Sequence, residues 1–202
     1  MARALAFGPL PRATVHLCID MQNVFHEPTE WHVPWMKVIL PAVVELASRR
    51  SADTIFTRFR PPPTPDAMPG FWQRYYARWP QYTVEAASSG LLELVPSLAA
   101  LVPPATVIDK ATYSAFASRA VRQALQSRGV ECLVITGVET DVCVLATILG
   151  AIDKGYRVVV PLDAVCSSTD QGHDSLVAQY QRRFSQQLET SDVDSVLVHW
   201  QR

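Results

Sequence analysis

The sequence predicts an α/β protein, a three-layer α/β/α sandwich built on a six-stranded, mainly parallel sheet. Short apolar runs rich in β-branched residues alternate with longer segments of helical periodicity along most of the 202-residue chain. Most of these runs are continuously apolar rather than alternating, which is typical of strands covered by helices on both faces. Helices between consecutive strands then favour parallel pairing with right-handed crossovers.

Each predicted strand is a short run bounded by polar or turn residues. The six strands are expected at Thr14–Asp20, Asp53–Arg58, Thr106–Lys110, Cys132–Gly137, Tyr156–Pro161 and Asp194–Trp200. The longer helical segments are Trp35–Arg50, Ser114–Arg128, Thr140–Lys154 and Thr169–Leu188. Gly129 and Gly155 follow the second and third of these helices, where a residue in the left-handed conformation commonly ends a helix.

The segment 60–89 departs from this rhythm, because prolines open it and six aromatic residues follow within residues 71–82. One interpretation is a satellite hydrophobic cluster under a long loop. The other is a pocket wall or a contact between subunits, since large amphipathic rings suit both roles. Both interpretations remain open. We expect residues 1–202 to form a single domain that carries this segment as an insertion.

Composition excludes several classes of partner. The chain has 18 Lys plus Arg and 19 Asp plus Glu, a net charge of −1, so neither nucleic acid nor an anionic membrane surface is an expected partner. No apolar run approaches the length of a bilayer span. Gly8, Pro9 and Pro11 break the apolar N-terminal stretch, so a cytoplasmic location is expected. The four cysteines have no CxxC spacing and are expected to be free thiols.

Three reactive side chains fall at the carboxyl ends of predicted strands, where parallel α/β sheets bind their ligands. Asp20 closes the first strand, Lys110 closes the third, and Cys143 follows the fourth. With Thr140 as the N-cap, Cys143 would lie in the first helical turn, where free N–H groups lower the pKa of a thiol. Taken singly, a capping aspartate, a solvated lysine and a small buried cysteine are the ordinary explanations. Their joint placement on one rim favours a reactive site.

Familiar cofactor and nucleophile motifs are missing from the sequence. It contains no GxGxxG, no GxxxxGK[ST] and no GxSxG. The five histidines show no metal-ligand spacing. We therefore expect no cofactor and no metal.

Three segments together resemble a known family, the isochorismatase-like cysteine hydrolases, which include nicotinamidases and N-carbamoylsarcosine amidohydrolase. They are Ile19–Phe25 (IDMQNVF), Asp109–Phe116 (DKATYSAF) and Ile135–Val144 (ITGVETDVCV), and the resemblance spans roughly residues 14 to 198. It implies a six-stranded parallel sheet and a catalytic triad of Asp20, Lys110 and Cys143. It also implies a cis peptide bond between Val138 and Glu139 and an oxyanion hole formed by the backbone N–H groups of Glu139 and Cys143.

The sequence differs from known members of the family at two places, and each difference argues against one activity. Nicotinamidases carry an Asp-x-His pair and a further His as metal ligands after the second strand, whereas Thr57–Pro63 contains neither residue type. This difference argues against a bound metal and against nicotinamidase activity. Isochorismatases proper lack the nucleophilic cysteine, so Cys143 argues against vinyl-ether hydrolysis.

The resemblance therefore implies a cysteine hydrolase that cleaves a C–N bond of a small amide-like substrate through a thioester. The candidate pocket residues are Phe25, Trp31, Arg58, Trp72, Tyr76 and Tyr113. Each of them could equally be a core or surface residue with no role in binding. One alternative is an inactive scaffold that binds a small ligand or a protein partner. Another is a redox-sensing cysteine, although no resolving cysteine lies near Cys143 in sequence. A homodimer or homotetramer is expected, because Trp35, the aromatic segment and His199–Trp200 offer apolar surface.

Overall fold

Within residues 4–200, which the computed structural model describes, seven parallel strands form one sheet. The strands are β1 Thr14–Ile19, β2 Thr54–Phe59, β3 Thr106–Lys110, β4 Cys132–Val138, β5 Arg157–Pro161, β6 Val165–Cys166 and β7 Leu188–Ser191. Six of them follow the order β3-β2-β1-β4-β5-β7, and the two-residue β6 pairs with the end of β4. The predicted fold class, a parallel sheet between two helical layers, is confirmed.

Helices cover both faces of the sheet. They are α1 Asn23–His26, α2 Met36–Arg49, α3 Phe71–Arg78, α4 Pro96–Ala99, α5 Arg119–Ser127, α6 Leu145–Ile152, α7 Asp170–Arg183 and α8 Val193–His199. The buried side chains of α2 and α8 belong to one hydrophobic cluster, and those of α5, α6 and α7 belong to another. Burial of apolar side chains in these two clusters fixes the helical layers against the sheet.

The central strands β1 and β4 contribute to both clusters, because successive side chains point to opposite faces. Every residue of β1 and β4 is buried. Leu17 and Ile19 of β1 contact the cluster of α5–α7, whereas Cys18 belongs to the cluster of α2 and α8. Continuous apolar runs in these strands follow directly from that double burial.

The predicted last strand is wrong: residues 194–199 are helical, and the strand lies earlier, at β7. The side chain of Asp192 accepts a hydrogen bond from the Ser195 N–H at 2.7 Å, which caps the start of α8. Val193 and Val196 are buried, whereas Val198 is 67% exposed, which is a helical rather than an alternating pattern. The predicted helix Thr169–Leu188 correspondingly ends at Arg183, and its last residue opens β7.

Two other segments are more broken than predicted. The predicted helix Ser114–Arg128 is a short 3₁₀ turn, Ala115–Ala117, followed by α5. The insertion 60–89 contains α3 between two more 3₁₀ turns, Pro65–Ala67 and Pro80–Tyr82.

The order of the strands places a crevice between β1 and β4. From β1 the chain proceeds outward through β2 to β3, and it then returns to β4 on the opposite side of β1. Side chains that follow β1 and β4 therefore face each other across the point where the strand order reverses. Such switch points are the usual ligand sites of open parallel sheets.

The apolar residues expected to support self-association differ in exposure. Trp35 is 47% exposed and Phe71 is 84% exposed, but Trp200 is only 3% exposed and packs in the core. The suggestion that Trp200 offers apolar surface is therefore wrong, and the homodimer or homotetramer stays a prediction. No helix between residues 4 and 200 is both long and apolar enough to cross a membrane.

Candidate active site

Asp20 lies directly after β1 and is held by the neighbouring strand β2. Its backbone N–H donates to the Thr57 carbonyl at 3.2 Å, and the Thr57 hydroxyl donates to its Oδ1 at 2.7 Å. The backbone of Asp20 is left-handed, with φ 53°, a conformation that aspartate tolerates better than most residues. The carboxylate is fully buried, pairs with Lys110 at the end of β3, and lies close enough to Cys143, after β4, to influence its pKa.

Lys110 is the last residue of β3, and its ammonium meets Asp20 below the surface. Lys110 Nζ lies 2.6 Å from Asp20 Oδ2, and both side chains are 0% exposed. The ammonium also donates to the Thr112 carbonyl at 3.1 Å and lies 4.9 Å from the centre of the Phe59 ring. Burial lowers the pKa of Lys110, but Asp20 and Cys143 more than offset that effect, so its pKa is raised and the group stays charged.

Cys143 lies in a π-helical turn, Thr140–Val144, that joins β4 to α6. The Glu139 carbonyl accepts the N–H groups of Val142 and Val144, both at 3.1 Å. Helix α7 holds the turn from outside, since the fully buried Tyr180 donates its hydroxyl to the Thr140 carbonyl at 2.8 Å. The peptide bond between Val138 and Glu139, which leads into the turn, is cis.

The prediction that Thr140 caps this helix is wrong. Glu139 occupies the cap position, and the Thr140 hydroxyl instead bonds His173 Nδ1 at 2.9 Å. A π-helical turn has an i→i+5 pattern, which the sequence alone does not reveal. Such turns are common at functional sites.

The Cys143 thiol lies close enough to Asp20 and Lys110 for both groups to influence its pKa. Its pKa is raised rather than lowered, against the expectation from a helix start. Burial is the largest cause, Lys110 opposes it, and the nearby carboxylate of Asp20 adds to it. Burial therefore favours the neutral form of the thiol, and the Asp20 carboxylate lies nearby.

A cavity of about 240 Å³ opens beside Cys143. Residues from six parts of the chain line it: the segment after β1, the end of β2, helix α3, and the turns after β3, β4 and β6. The lining residues are Phe25, Glu30, Trp31, His32, Phe59, Tyr75, Tyr113, Glu139, Val142, Cys143 and Ser168. Asp20 and Lys110 are completely buried and are not among the lining residues.

Half of the predicted pocket residues lie in the lining and half do not. Phe25, Trp31 and Tyr113 line the cavity. Tyr76 is completely buried in the core, and Trp72 packs edge-on against Tyr113 at 4.9 Å from outside.

Arg58 also lies outside the lining. It points to the edge of the sheet, where its Nε donates to Asp109 at 2.7 Å and its guanidinium also pairs with Glu93. Arg60 pairs with the same Glu93 at 3.1 Å. Successive side chains of a strand point to opposite faces. Arg58 therefore points away from the cavity that its neighbour Phe59 lines.

Several of the lining residues were not predicted from the sequence, although the sequence pattern pointed to some of them. Phe59 ends β2, so the strand-end argument applied to its side chain, whereas Glu139 was expected at the site only for its backbone N–H. Glu30 and His32 flank Trp31, which was a candidate already. Tyr75 belonged to the aromatic segment, but the sequence does not say which face of α3 points inward. Ser168 carried no signal.

The residues present do not fit the metal that nicotinamidases bind. At the end of β2 stand Arg58 and Phe59, neither of which is a metal ligand, and the arginine is already paired with carboxylates. No group of three or more His, Cys, Asp or Glu side chains in residues 4–200 is arranged to hold a metal ion. No step of the chemistry below uses a metal.

The fold and the site together define a doubly wound α/β protein with a thiol at its topological switch point. Residues 14–192 match the family model described as the Isochorismatase domain. The chain belongs to the isochorismatase family.

Relatives of this chain include proteins described as active and as inactive. It is 27% identical over 169 residues to nicotinamidase 3 of Arabidopsis thaliana, covering 83% of this chain and 80% of the relative. It is 33% identical over 167 residues to a probable inactive nicotinamidase of the same plant, covering 80% and 85%. A shorter match is 41% identical over 71 residues to an uncharacterized isochorismatase family protein of Bacillus subtilis, covering 35% of this chain and 39% of that protein.

Solved structures share the fold over the whole chain. A cysteine hydrolase from Pseudomonas syringae pv. phaseolicola 1448A superposes with a TM-score of 0.82 and 22% identity, covering 98% of each chain. At this identity the likeness extends to the fold alone.

Proposed function

We propose that this protein is a cysteine hydrolase that cleaves the C–N bond of a small amide-like substrate. The observation that carries the proposal is the meeting of Asp20, Lys110 and Cys143, contributed by three different strand ends, beside a cavity large enough for a small molecule. Nicotinamidase 3 is a relative over most of this chain, and its name supports amide chemistry.

In the first half of the reaction, Asp20 takes the proton of the Cys143 thiol. Its Oδ1 accepts the Thr57 hydroxyl and its Oδ2 lies 2.6 Å from Lys110 Nζ, so both oxygens are held in place while the carboxylate accepts this proton. The sulfur attacks the carbonyl carbon, a C–S bond forms, and the carbonyl oxygen becomes an oxyanion. Backbone N–H groups of Glu139 and Cys143 stabilise that oxyanion, and one such donor is typically worth about 3 kcal/mol of barrier.

Collapse of the intermediate breaks the C–N bond, and Asp20 returns its proton to the leaving nitrogen. In the second half, Asp20 removes a proton from water, the hydroxide adds to the thioester, and the C–S bond breaks to release the acid. The sulfur leaves as a thiolate and regains a proton from Asp20. Lys110 keeps a positive charge beside both anionic states.

Release of ammonia or amine from a panel of small amides, ureido acids and carbamoyl amines tests the proposal. Cys143→Ala should reduce turnover by about a thousandfold or more and abolish the acyl-enzyme seen by intact mass. Cys132→Ala, a buried cysteine at the opposite end of β4, serves as the matched control. Undiminished turnover in the Cys143→Ala variant would rule the mechanism out.

A second candidate is an inactive scaffold, which the 33% identity to a probable inactive nicotinamidase favours. Thiol labelling distinguishes the two, because Cys143 lines the cavity and has Asp20 and Lys110 nearby, whereas Cys18 and Cys132 are completely buried. If the protein is a hydrolase, iodoacetamide should alkylate Cys143 at neutral pH far faster than it alkylates the other cysteines. Equal and slow labelling of all four would favour the scaffold.

A further inference from the structure

The cavity beside Cys143 combines aromatic rings with carboxylates and contains no lysine or arginine in its described lining. Five of its lining residues are aromatic, namely Phe25, Trp31, Phe59, Tyr75 and Tyr113. Its formally charged lining side chains are Glu30 and Glu139. This pairing is unlike a site for an anionic substrate, which requires a cationic partner.

The rings support one another and enclose the cavity from several sides. Trp31 stacks on Phe25 with centroids 6.2 Å apart and an interplanar angle of 14°. It also lies 6.0 Å from the Tyr75 ring and 4.3 Å from the Tyr82 ring. Phe59 stacks on Tyr113 at 6.4 Å. Five aromatic rings therefore line the cavity, and the face of an aromatic ring carries negative potential that attracts cations.

The two carboxylates reinforce that potential. Glu30 receives the Tyr82 hydroxyl, and this hydrogen bond lowers the pKa of Glu30, so it is ionised at neutral pH. Glu139 Oε1 accepts the Ser168 N–H at 3.2 Å. Burial, partly offset by that bond, raises the pKa of Glu139, and its carboxylate has no cationic partner among the described residues. A cation bound in the cavity would stabilise the ionised form of Glu139.

The cationic side chains at the neighbouring strand ends are already paired. Lys110 is bound to Asp20, and Arg58 and Arg60 are bound at the sheet edge to Asp109 and Glu93. His32 donates its Nδ1–H to the Glu27 carbonyl at 2.9 Å. The lining offers a substrate carboxylate aromatic rings and Glu side chains, and the Lys110 ammonium, 4.9 Å from the Phe59 ring, is neutralised by Asp20.

We propose that the substrate is a small amide whose non-reacting end is a compact cation, such as a quaternary or alkylated ammonium group. The aromatic rings, Glu30 and Glu139 hold the cation, and the amide carbonyl lies against Cys143. This inference rests on the proposed hydrolase function and names its substrate class. It excludes anionic ureido acids as preferred substrates.

A matched pair of amides separates charge from shape. Betaine amide, (CH₃)₃N⁺CH₂CONH₂, and 3,3-dimethylbutanamide, (CH₃)₃CCH₂CONH₂, differ only in the central atom and its charge. Calorimetric titration of the Cys143→Ser variant measures their binding without turnover. We expect betaine amide to bind at least about tenfold more tightly than the neutral amide. Glu30→Gln and Glu139→Gln, each in that background, should reduce this preference about threefold or more, whereas Glu131→Gln at the other end of β4 should not change it.

Affinity for the neutral amide reports whether the cavity of each variant is intact. Equal affinity for the two amides, no measurable binding of betaine amide, or a preference that survives both glutamine substitutions overturns the inference. If the preference is present but the wild-type protein hydrolyses neither amide, the cation site stands and the proposed hydrolase function fails. If the wild type hydrolyses neutral amides and binds both compounds equally, the hydrolase function stands and the cation site fails.

Discussion

Lys110 Nζ lies 2.6 Å from Asp20 Oδ2, and neither side chain is exposed to solvent. Removal of one partner leaves a buried charge without compensation, which typically costs about 3 to 5 kcal/mol. We therefore expect Asp20→Asn and Lys110→Met each to destabilise the protein by that amount in urea unfolding. The double variant should recover most of the loss, because no buried charge remains, yet all three variants should be inactive if the proposed mechanism holds.

Asp109→Asn, one residue before Lys110, is the control for this experiment. It removes the half-exposed pair with Arg58, for which a loss of about 1 kcal/mol or less is expected. Additive losses in the double variant, with no recovery, would contradict the assignment of a coupled buried pair.

The Thr57 hydroxyl donates a hydrogen bond to Asp20 Oδ1 at 2.7 Å and so positions the carboxylate that we propose to be catalytic. Thr57→Val keeps the side-chain shape but removes this donor, so we expect kcat to fall about tenfold with KM little changed. Its pH–rate profile should also shift, because the carboxylate loses a bond that favours its ionised form. Thr57→Ser should restore both. A KM effect alone, or no rescue by serine, would mean that Thr57 acts only through packing.

His16 makes stability depend on pH. It is completely buried in β1, its two ring nitrogens bond the hydroxyls of Thr54 and Thr136, and burial lowers its pKa to about 3. Since the folded-state value lies below the unfolded value of 6.5, the stabilisation is complete above pH 6.5 and is lost as the pH falls toward 3. Below pH 6.5 the contribution declines by up to about 1.4 kcal/mol per pH unit.

Unfolding free energies of the wild type and of His16→Gln, measured from about one pH unit above the ordinary histidine pKa to about two and a half units below it, test this expectation. The variant should be less stable at neutral pH but should lose stability less steeply in acid. His26→Gln provides the comparison with another histidine. Parallel curves for His16→Gln and the wild type would contradict the assignment.

Gly137 lies where β4 passes closest to the end of β1. Its φ is +107°, and an added Cβ would overlap the carbonyl oxygen of Ile19 and lie 2.8 Å from the carbonyl carbon. Because backbone atoms cannot move aside as a flexible side chain can, Gly137→Ala should cost about 3 kcal/mol or more and misplace Asp20 relative to Cys143.

Gly155→Ala is the matched comparison in thermal or urea unfolding. Gly155 also has a positive φ, +80°, but an added Cβ would meet no atom within 4 Å. It should therefore show only the conformational cost of about 1 kcal/mol. A similar loss in both variants would mean that the close approach of β1 and β4 contributes little.

The fold was predictable from the sequence because its central strands are apolar on both faces, and β1 and β4 are completely buried. The last two elements of the chain, β7 and α8, were not predictable. The run Asp194–Trp200 is rich in valine and too short to separate a period of two from one of 3.6. Only the cap at Asp192 and the burial of Val193 and Val196 identify it as a helix.

The candidate site was predictable where it depends on strand ends and not where it depends on loops. Asp20 and Lys110 follow from the sheet. The inward face of α3 does not, because adjacent aromatic residues reach different destinations: Tyr75 lines the cavity and Tyr76 enters the core. The raised pKa of Cys143 was also unpredictable, since it results from burial that the helix-start argument ignored.

The left-handed backbone of Asp20 limits what evolution and engineering can place there. Among residues that tolerate this conformation well, glycine, asparagine and aspartate, only aspartate supplies a carboxylate. Selection for hydrolysis from a randomised library should therefore return aspartate alone at position 20, with glutamate absent despite its charge. A homologue that keeps the fold but has lost the activity could carry asparagine or glycine at this position. The residue at position 20 therefore distinguishes active from inactive homologues.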